Sequence, residues 1–138
     1  MKKRLRLLVV DDHPVVRNGI KMFLSKQDKF EIVGEAGDGL EAMHKVMELM
    51  PDIVLLDLEM PRMDGYAVTR FLDAELPQVR VLVLSDLVGV EPVTRTIESG
   101  GRGYVLKGGS LDNLLVATMN SLTRRFFANP FLNTQPIA

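Results

Sequence analysis

The sequence contains no cysteine. This absence excludes a disulfide framework, a thiolate metal site and a cysteine nucleophile, and it suits a reducing cytosol without proving one. Long apolar runs are absent too, since none approaches the ~20 residues that span a bilayer. The basic start, Met1–Arg4, precedes an apolar run over 5–10 that Arg6 interrupts, which is too short for a secretory leader. We therefore expect a cytoplasmic protein with no membrane partner.

The chain also has little excess charge. It carries 17 basic against 18 acidic side chains, a formal net charge of −1. Proteins that bind nucleic acid usually show a basic patch or stripe, so composition gives no electrostatic case for direct binding. The length of 138 residues and the 46% of hydrophobic residues predict one domain with a real core and exclude intrinsic disorder.

Short apolar runs alternate five times with helix-like segments. Strands are expected at 5–10, 30–36, 53–57, 79–85 and 104–106, with helices between and after them at 14–25, 40–50, 66–76, 90–99 and 111–122. This alternation predicts an α/β fold in which a doubly wound parallel sheet carries helices on both faces. Gly89 and Pro92 indicate an irregular or shortened fourth helix.

Apolar residues at helical spacing predict the buried faces of the first, second and last helices. The predicted residues are Val15, Val16, Ile20, Phe23 and Leu24; Leu40, Met43, Val46, Met47 and Met50; and Leu111, Leu114, Leu115, Thr118, Met119 and Leu122. Most methionines are thereby assigned to the core, and His44 to the surface. Asp38, Asp64 and Ser110 are predicted to cap helices.

Polar side chains follow four of the predicted strands, in the order Asp11-Asp12, Asp57, Ser85 and Lys107. The carboxyl ends of parallel strands meet at one edge of a sheet. Three carboxylates gathered there repel one another, and a hard cation, best Mg²⁺, resolves the repulsion. A lysine and a hydroxyl beside them suit a phosphoryl group, whose negative charge is met from several sides.

Each of these residues also has a plainer interpretation when taken alone. The aspartate pair and Asp57 resemble helix caps or loop residues, Ser85 a turn residue and Lys107 a solvated side chain. Their joint occurrence at successive strand ends favours a single site over four separate accidents.

Four segments carry a resemblance to a known family: 8–14, 57–65, 83–85 and 103–107. Over roughly residues 4–124 the chain resembles the receiver domain of two-component response regulators. His13-Pro14 and the segment 102–107 are most similar to the LuxR/NarL-type subfamily, whose receivers usually precede a helix-turn-helix domain. The resemblance implies a flavodoxin-like fold with strand order 2-1-3-4-5.

The resemblance also implies a centre for the chemistry. Asp57 would be the phosphoacceptor for a sensor histidine kinase. Mg²⁺ would be held by Asp11, Asp12, Asp57 and the backbone carbonyl of Glu59. The chain is then expected to catalyse at most its own phosphorylation and dephosphorylation and is not a classical enzyme.

The remaining roles concern the switch. Lys107 and Ser85 would contact the phosphoryl group, and the rotamer of Tyr104 would follow Ser85. The face built by the fourth helix, fifth strand and fifth helix would then serve output and homodimerisation. DNA would be bound only through a C-terminal effector domain outside this chain.

The end of the chain is open to three interpretations. We expect residues 1–125 to form the receiver domain and 126–138 a C-terminal tail or the start of a linker. Phe126, Phe127 and Phe131 are compatible with packing on the domain, with a linker and with binding a partner.

Asp86 departs from the family pattern, which usually has a small residue after the switch hydroxyl. Asp86 is compatible with pointing to solvent, with adding a metal contact and with slowing phosphorylation, which is our hypothesis. It favours the alternative of a pseudo-receiver, an interaction module that is not phosphorylated. A haloacid-dehalogenase-like phosphatase is disfavoured because Glu59 stands where a second aspartate is needed.

Overall fold

The computed structural model describes residues 4–121 and 126–128. Strands and helices alternate through them. In chain order they are β1 (Leu5–Val10), α1 (Pro14–Ser25), β2 (Phe30–Ala36), α2 (Gly39–Leu49), β3 (Ile53–Asp57), α3 (Gly65–Glu75), β4 (Arg80–Ser85), α4 (Val90–Glu98), β5 (Gly103–Leu106), α5 (Leu111–Asn120) and β6 (Phe127–Ala128).

These strands form one parallel sheet in the order β2-β1-β3-β4-β5-β6. The predicted doubly wound α/β fold is confirmed, and the order 2-1-3-4-5 is extended by one short strand. Phe127 pairs with Gly103 and Ala128 with Tyr104. Phe126 and Phe127 therefore pack on the domain, while Phe131 lies outside the described residues.

Successive side chains of each strand point to opposite faces of the sheet, so the strands contribute to two hydrophobic cores, one on each face. Leu7 and Val9 of β1 pack with α1 and α5, whereas Leu8 and Val10 pack with α2 and α3. Strand β3 is buried along its whole length, as expected for a central strand covered on both faces. The polar end of β3 is thereby held rigidly in the middle of the sheet edge.

Several predicted core residues are exposed instead. The helices bury ridges spaced by four, such as Ile20 with Leu24 and Ala42 with Val46. A neighbouring residue is turned away by about 100° on a helix of 3.6 residues per turn. This explains the exposure of Val15, Met47 and Met119, each of which directly adjoins a buried or half-buried position.

Leu40, Met50 and Leu111 are also exposed, as is Met22, so the assignment of methionines to the core was wrong at four positions. Leu122 lies outside the described residues.

The predicted helix caps are confirmed. Asp38 accepts from the backbone N–H of Glu41, Asp64 from those of Tyr66 and Ala67, and Ser110 from that of Asp112. Helix α4 begins after Gly89, whose φ of 134° lies in a region that residue types other than glycine rarely adopt. Across the described residues, no helix combines the length and apolarity needed to cross a membrane.

Candidate functional site

The carboxylate of Asp57 lies at the end of β3 and is fully buried. One of its oxygens, Oδ1, accepts a hydrogen bond of 2.9 Å from the backbone N–H of Glu59. The other, Oδ2, accepts one of 3.1 Å from the ammonium of Lys107. Both oxygens are therefore held by hydrogen bonds, one from the loop after β3 and one from the end of β5. We call the site between these elements and the end of β1 the pocket.

Lys107 also joins β5 to the end of β1. Its Nζ lies 3.1 Å from Oδ2 of the buried Asp11, and its side chain is only 6% exposed. Lys107 is therefore not the solvated side chain that it would be on the plainer interpretation. Because one ammonium faces two buried carboxylates, the pocket keeps excess negative charge.

His13 belongs to this cluster, although its sequence pattern predicted no chemical role for it. Its Nδ1 lies 3.1 Å from Oδ1 of Asp11, 3.1 Å from Oδ1 of Asp12 and 3.3 Å from Nζ of Lys107. Its position directly after the aspartate pair was the available signal. The imidazole is 59% exposed and therefore lies on the solvent side of the cluster.

The cluster has the donors of a cation site. Potential ligand atoms of Asp11, Asp12, His13 and Asp57 all lie within 4.8 Å of one another. Oδ2 of Asp11 and Oδ1 of Asp12 are buried and accept no hydrogen bond of good geometry in the described part of the chain, although Lys107 and His13 each lie 3.1 Å from one of them. A carboxylate oxygen that accepts no hydrogen bond is costly to bury, and a hard cation would bind both. The sequence-predicted acids thus come together, and two of their buried oxygens accept no well-directed hydrogen bond.

The environment shifts two pKa values in the pocket. Burial raises the pKa of Asp57, against the opposing effect of its hydrogen bonds from Glu59 and Lys107. Burial would lower the pKa of Lys107, but the neighbouring carboxylates of Asp57 and Asp11 outweigh that effect and the pKa is raised. The lysine therefore stays charged and offsets part of the carboxylate charge.

Ser85 lies at the end of β4 and is fully buried. Its hydroxyl donates a hydrogen bond of 2.8 Å to Oε1 of Glu59 and accepts one of 3.0 Å from the N–H of Leu87. The same Glu59 oxygen accepts a hydrogen bond of 2.5 Å from the N–H of Asp86, whose side chain is exposed. The side chain of Glu59 is thus a site residue that the sequence analysis missed, since only its backbone carbonyl had been considered.

Tyr104 is fully buried beside this loop, and burial raises the pKa of its phenol. Its hydroxyl donates a hydrogen bond of 2.7 Å to the carbonyl oxygen of Leu87. The backbone of Leu87 therefore connects the two predicted switch residues. No sequence pattern signals such a link, because it depends on backbone atoms.

A second group of charges supports the loop after β1. Arg17 of α1 donates to the backbone carbonyl of Asp11 and, over 2.7 Å, to the carboxylate of Glu35 on β2. Lys21 donates to the same carboxylate. Hydrogen bonds from Lys21 and Arg17 lower the pKa of Glu35.

The family model for the response regulator receiver domain matches residues 7–119. Among curated proteins, the response regulator protein VraR of Staphylococcus aureus is 41% identical over 110 residues, which are 80% of this chain and 53% of VraR. The chain thus spans about half the length of the curated relatives it matches.

Solved structures agree with the family match. A two-component response regulator of the LuxR family from Aurantimonas sp. SI85-9A1 has a TM-score of 0.88 and 30% identity, covering 95% of this chain and 94% of that one. The signal receiver domain of NarL from Mycobacterium tuberculosis has a TM-score of 0.80 and 32% identity, covering 86% and 95%. The Salmonella RcsB receiver domain, at 22% identity, shares the fold.

Proposed function

Because the chain belongs to the response regulator receiver domain family of two-component systems, we propose that it is a phosphorylation switch centred on Asp57. The observation that carries this proposal is the buried carboxylate of Asp57 at the sheet edge, with the ammonium of Lys107 at 3.1 Å from it and from Asp11. A charged lysine is positioned to meet the oxygens of an incoming phosphoryl group.

The proposed transfer starts from a phosphohistidine of a sensor histidine kinase. A carboxylate oxygen of Asp57 attacks phosphorus, the new O–P bond forms and the N–P bond breaks. The imidazole nitrogen leaves and takes a proton from solvent. Attack of water on the aspartyl phosphate later releases inorganic phosphate and restores the carboxylate.

The residues present fit Mg²⁺ because one buried oxygen of Asp11 and one of Asp12 accept no hydrogen bond in the described part of the chain. These two residues, Asp57 and the backbone carbonyl of Glu59 would hold the ion. When bound, it would supply compensation for the charge that gathers on the transferring group. Lys107, whose Nζ lies 3.1 Å from Asp57 and from Asp11, contributes a second positive charge.

We propose that Ser85 and Tyr104 transmit the change at Asp57. Added charge there draws the hydroxyl of Ser85, whose contact with Leu87 leads to the phenol of Tyr104. The output face would be that of α4, β5 and α5, and a homodimer would form on phosphorylation. We further propose that residues 1–125 form the receiver unit in the cytoplasm and that transcription is regulated through a DNA-binding effector domain, as the LuxR-family likeness favours.

Intact mass after incubation with acetyl phosphate and Mg²⁺ tests the proposal. We expect a gain of one phosphoryl group, and no gain in the Asp57→Asn variant, which keeps the shape of the side chain and loses the nucleophile. A folded wild-type protein that gains nothing would contradict the proposal and favour the pseudo-receiver. Turnover of an added phosphate ester would instead favour the phosphatase.

A further inference from the structure

The side chain of Glu59 accepts hydrogen bonds from two donors at the end of β4. Its Oε1 lies 2.8 Å from the hydroxyl of Ser85 and 2.5 Å from the backbone nitrogen of Asp86. We propose that this carboxylate occupies the donors that a phosphoryl group on Asp57 needs, and that it must leave when the group arrives. Glu59 would then be a positioning residue that sets how readily the site accepts an anion. The inference rests on the proposed function and deepens it.

Proton count makes the two states mutually exclusive. The hydroxyl of Ser85 carries one proton and the N–H of Asp86 carries one, so each can be donated fully to one acceptor at a time. In the structure both protons are directed to the same oxygen of Glu59. A phosphoryl oxygen that takes either of them displaces that oxygen.

The backbone of Glu59 places its carboxylate within reach of this exchange. Its N–H is held by Oδ1 of Asp57 at 2.9 Å, so the residue is anchored on the phosphoacceptor itself. Its side chain is exposed at the mouth of the pocket and can turn into solvent without a cavity being left behind. A dianionic group formed on Asp57 would repel the nearby carboxylate and assist its departure.

The contact also bears on the switch. While Ser85 donates to Glu59, it accepts from the N–H of Leu87, whose carbonyl oxygen accepts from Tyr104. Release of Glu59 frees the hydroxyl of Ser85 to turn its proton towards Asp57. Glu59 thereby stabilises the unphosphorylated arrangement of the β4–α4 loop.

Binding of beryllofluoride, a non-covalent phosphoryl analogue, measures this competition at saturating Mg²⁺. We expect the affinity to rise about tenfold in Glu59→Ala, which corresponds to about 1.4 kcal/mol and the net value of a hydrogen bond or two. Glu59→Gln should gain less, because its amide oxygen still accepts while the charge is gone. Glu91→Gln is the matched control, since it removes an exposed carboxylate in the first turn of α4. It should leave the affinity unchanged.

A spectroscopic measurement reads the contact without any phosphoryl donor. The amide proton of Asp86 should move upfield in Glu59→Ala, as expected for the loss of a short bond to a carboxylate, and should stay in place in Glu91→Gln. Dispersion of the same NMR spectrum checks that the variants are folded.

The outcomes separate this inference from the proposed function. If the wild type binds beryllofluoride and gains a phosphoryl group, but Glu59→Ala binds no more tightly or the Asp86 amide does not move, the inference is overturned and the function stands. If neither protein binds beryllofluoride nor gains a phosphoryl group, both fail. Binding by Glu59→Ala alone would support the inference in its strongest form.

Discussion

The phenol of Tyr104 donates a hydrogen bond of 2.7 Å to the carbonyl oxygen of Leu87, two residues beyond Ser85. Since the N–H of Leu87 donates to Ser85, a single residue of the β4–α4 loop is held from both sides. The loop after β4 is thereby tied to the core through a buried ring of β5. The position of this loop therefore depends on the hydroxyl of Tyr104, and a phenylalanine would remove that hydroxyl without changing the shape of the ring.

The variant Tyr104→Phe removes that hydroxyl. We expect it to lower the free energy of unfolding by about 1 kcal/mol, the net value of one hydrogen bond. Urea denaturation measures the change. Tyr66→Phe is the control, because the hydroxyl of Tyr66 makes no hydrogen bond to the part of the chain that the structure describes. Equal losses in the two variants would show that the bond to Leu87 does not stabilise the fold.

The variant Lys107→Met keeps an unbranched side chain and removes the charge between Asp11 and Asp57. Two buried carboxylates then lose their cation, so we expect a loss of about 1–3 kcal/mol in the free energy of unfolding at pH 7. Phosphoryl uptake from acetyl phosphate should fall at least tenfold.

The pH dependence of the stability loss in Lys107→Met tests whether the loss has an electrostatic cause. Burial already raises the pKa of Asp57, and removal of the ammonium raises it further. Protonation relieves the unpaired charge, so the deficit of Lys107→Met should shrink between pH 7 and pH 5 and in the presence of Mg²⁺. Denaturation curves at both pH values decide this, and a deficit independent of pH and Mg²⁺ would count against an electrostatic cause.

The sequence predicts those parts of the site that are formed by side chains at strand ends, but not those formed by atoms of the loops. Asp57 and Lys107 were predictable because each ends an apolar run, and parallel strands bring their ends together. The side-chain role of Glu59 and the backbone link through Leu87 were not, since both depend on which loop atoms approach in space. Strand β6 escaped prediction because two residues, Phe127–Ala128, carry no periodicity.

Asp86 directly follows Ser85 and its side chain is exposed, so under the proposed function it would add a negative charge near an approaching anionic donor. We expect Asp86→Ala to raise the rate of phosphorylation by acetyl phosphate about two- to fivefold, in keeping with ~0.5–1 kcal/mol for an exposed charge. The gain should diminish at high salt, because screening weakens exposed charges first. An unchanged rate at low salt would overturn the hypothesis that Asp86 slows phosphorylation.

The ion pairs of Glu35 with Lys21 and Arg17 join β2 to α1 and hold the pKa of Glu35 below its usual value. The folded state therefore holds the proton less tightly than the unfolded state. The stabilisation is complete above the unfolded pKa and is lost as pH falls through the folded one. Glu35→Gln should cost about 0.5–1 kcal/mol at pH 7, because the pair is partly exposed, and progressively less below pH 4.5. A cost that stays constant across this range would point to packing instead.

The sheet leaves no room for a side chain at Gly103, where β5 pairs with β6. A Cβ there would lie 2.5 Å from Cδ1 of Leu82 and 3.1 Å from the carbonyl oxygen of Phe127. Leu82 is fully buried and cannot yield freely, so we expect Gly103→Ala to lower the free energy of unfolding by about 1–3 kcal/mol.

Gly19→Ala is the opposite case, because nothing lies within 4 Å of its Cβ position inside α1. It should stabilise the protein by about 0.5–1 kcal/mol through helix propensity. Thermal unfolding of both variants measures the contrast, and a harmless Gly103→Ala would mean that Leu82 and β6 move aside for the added methyl group in solution.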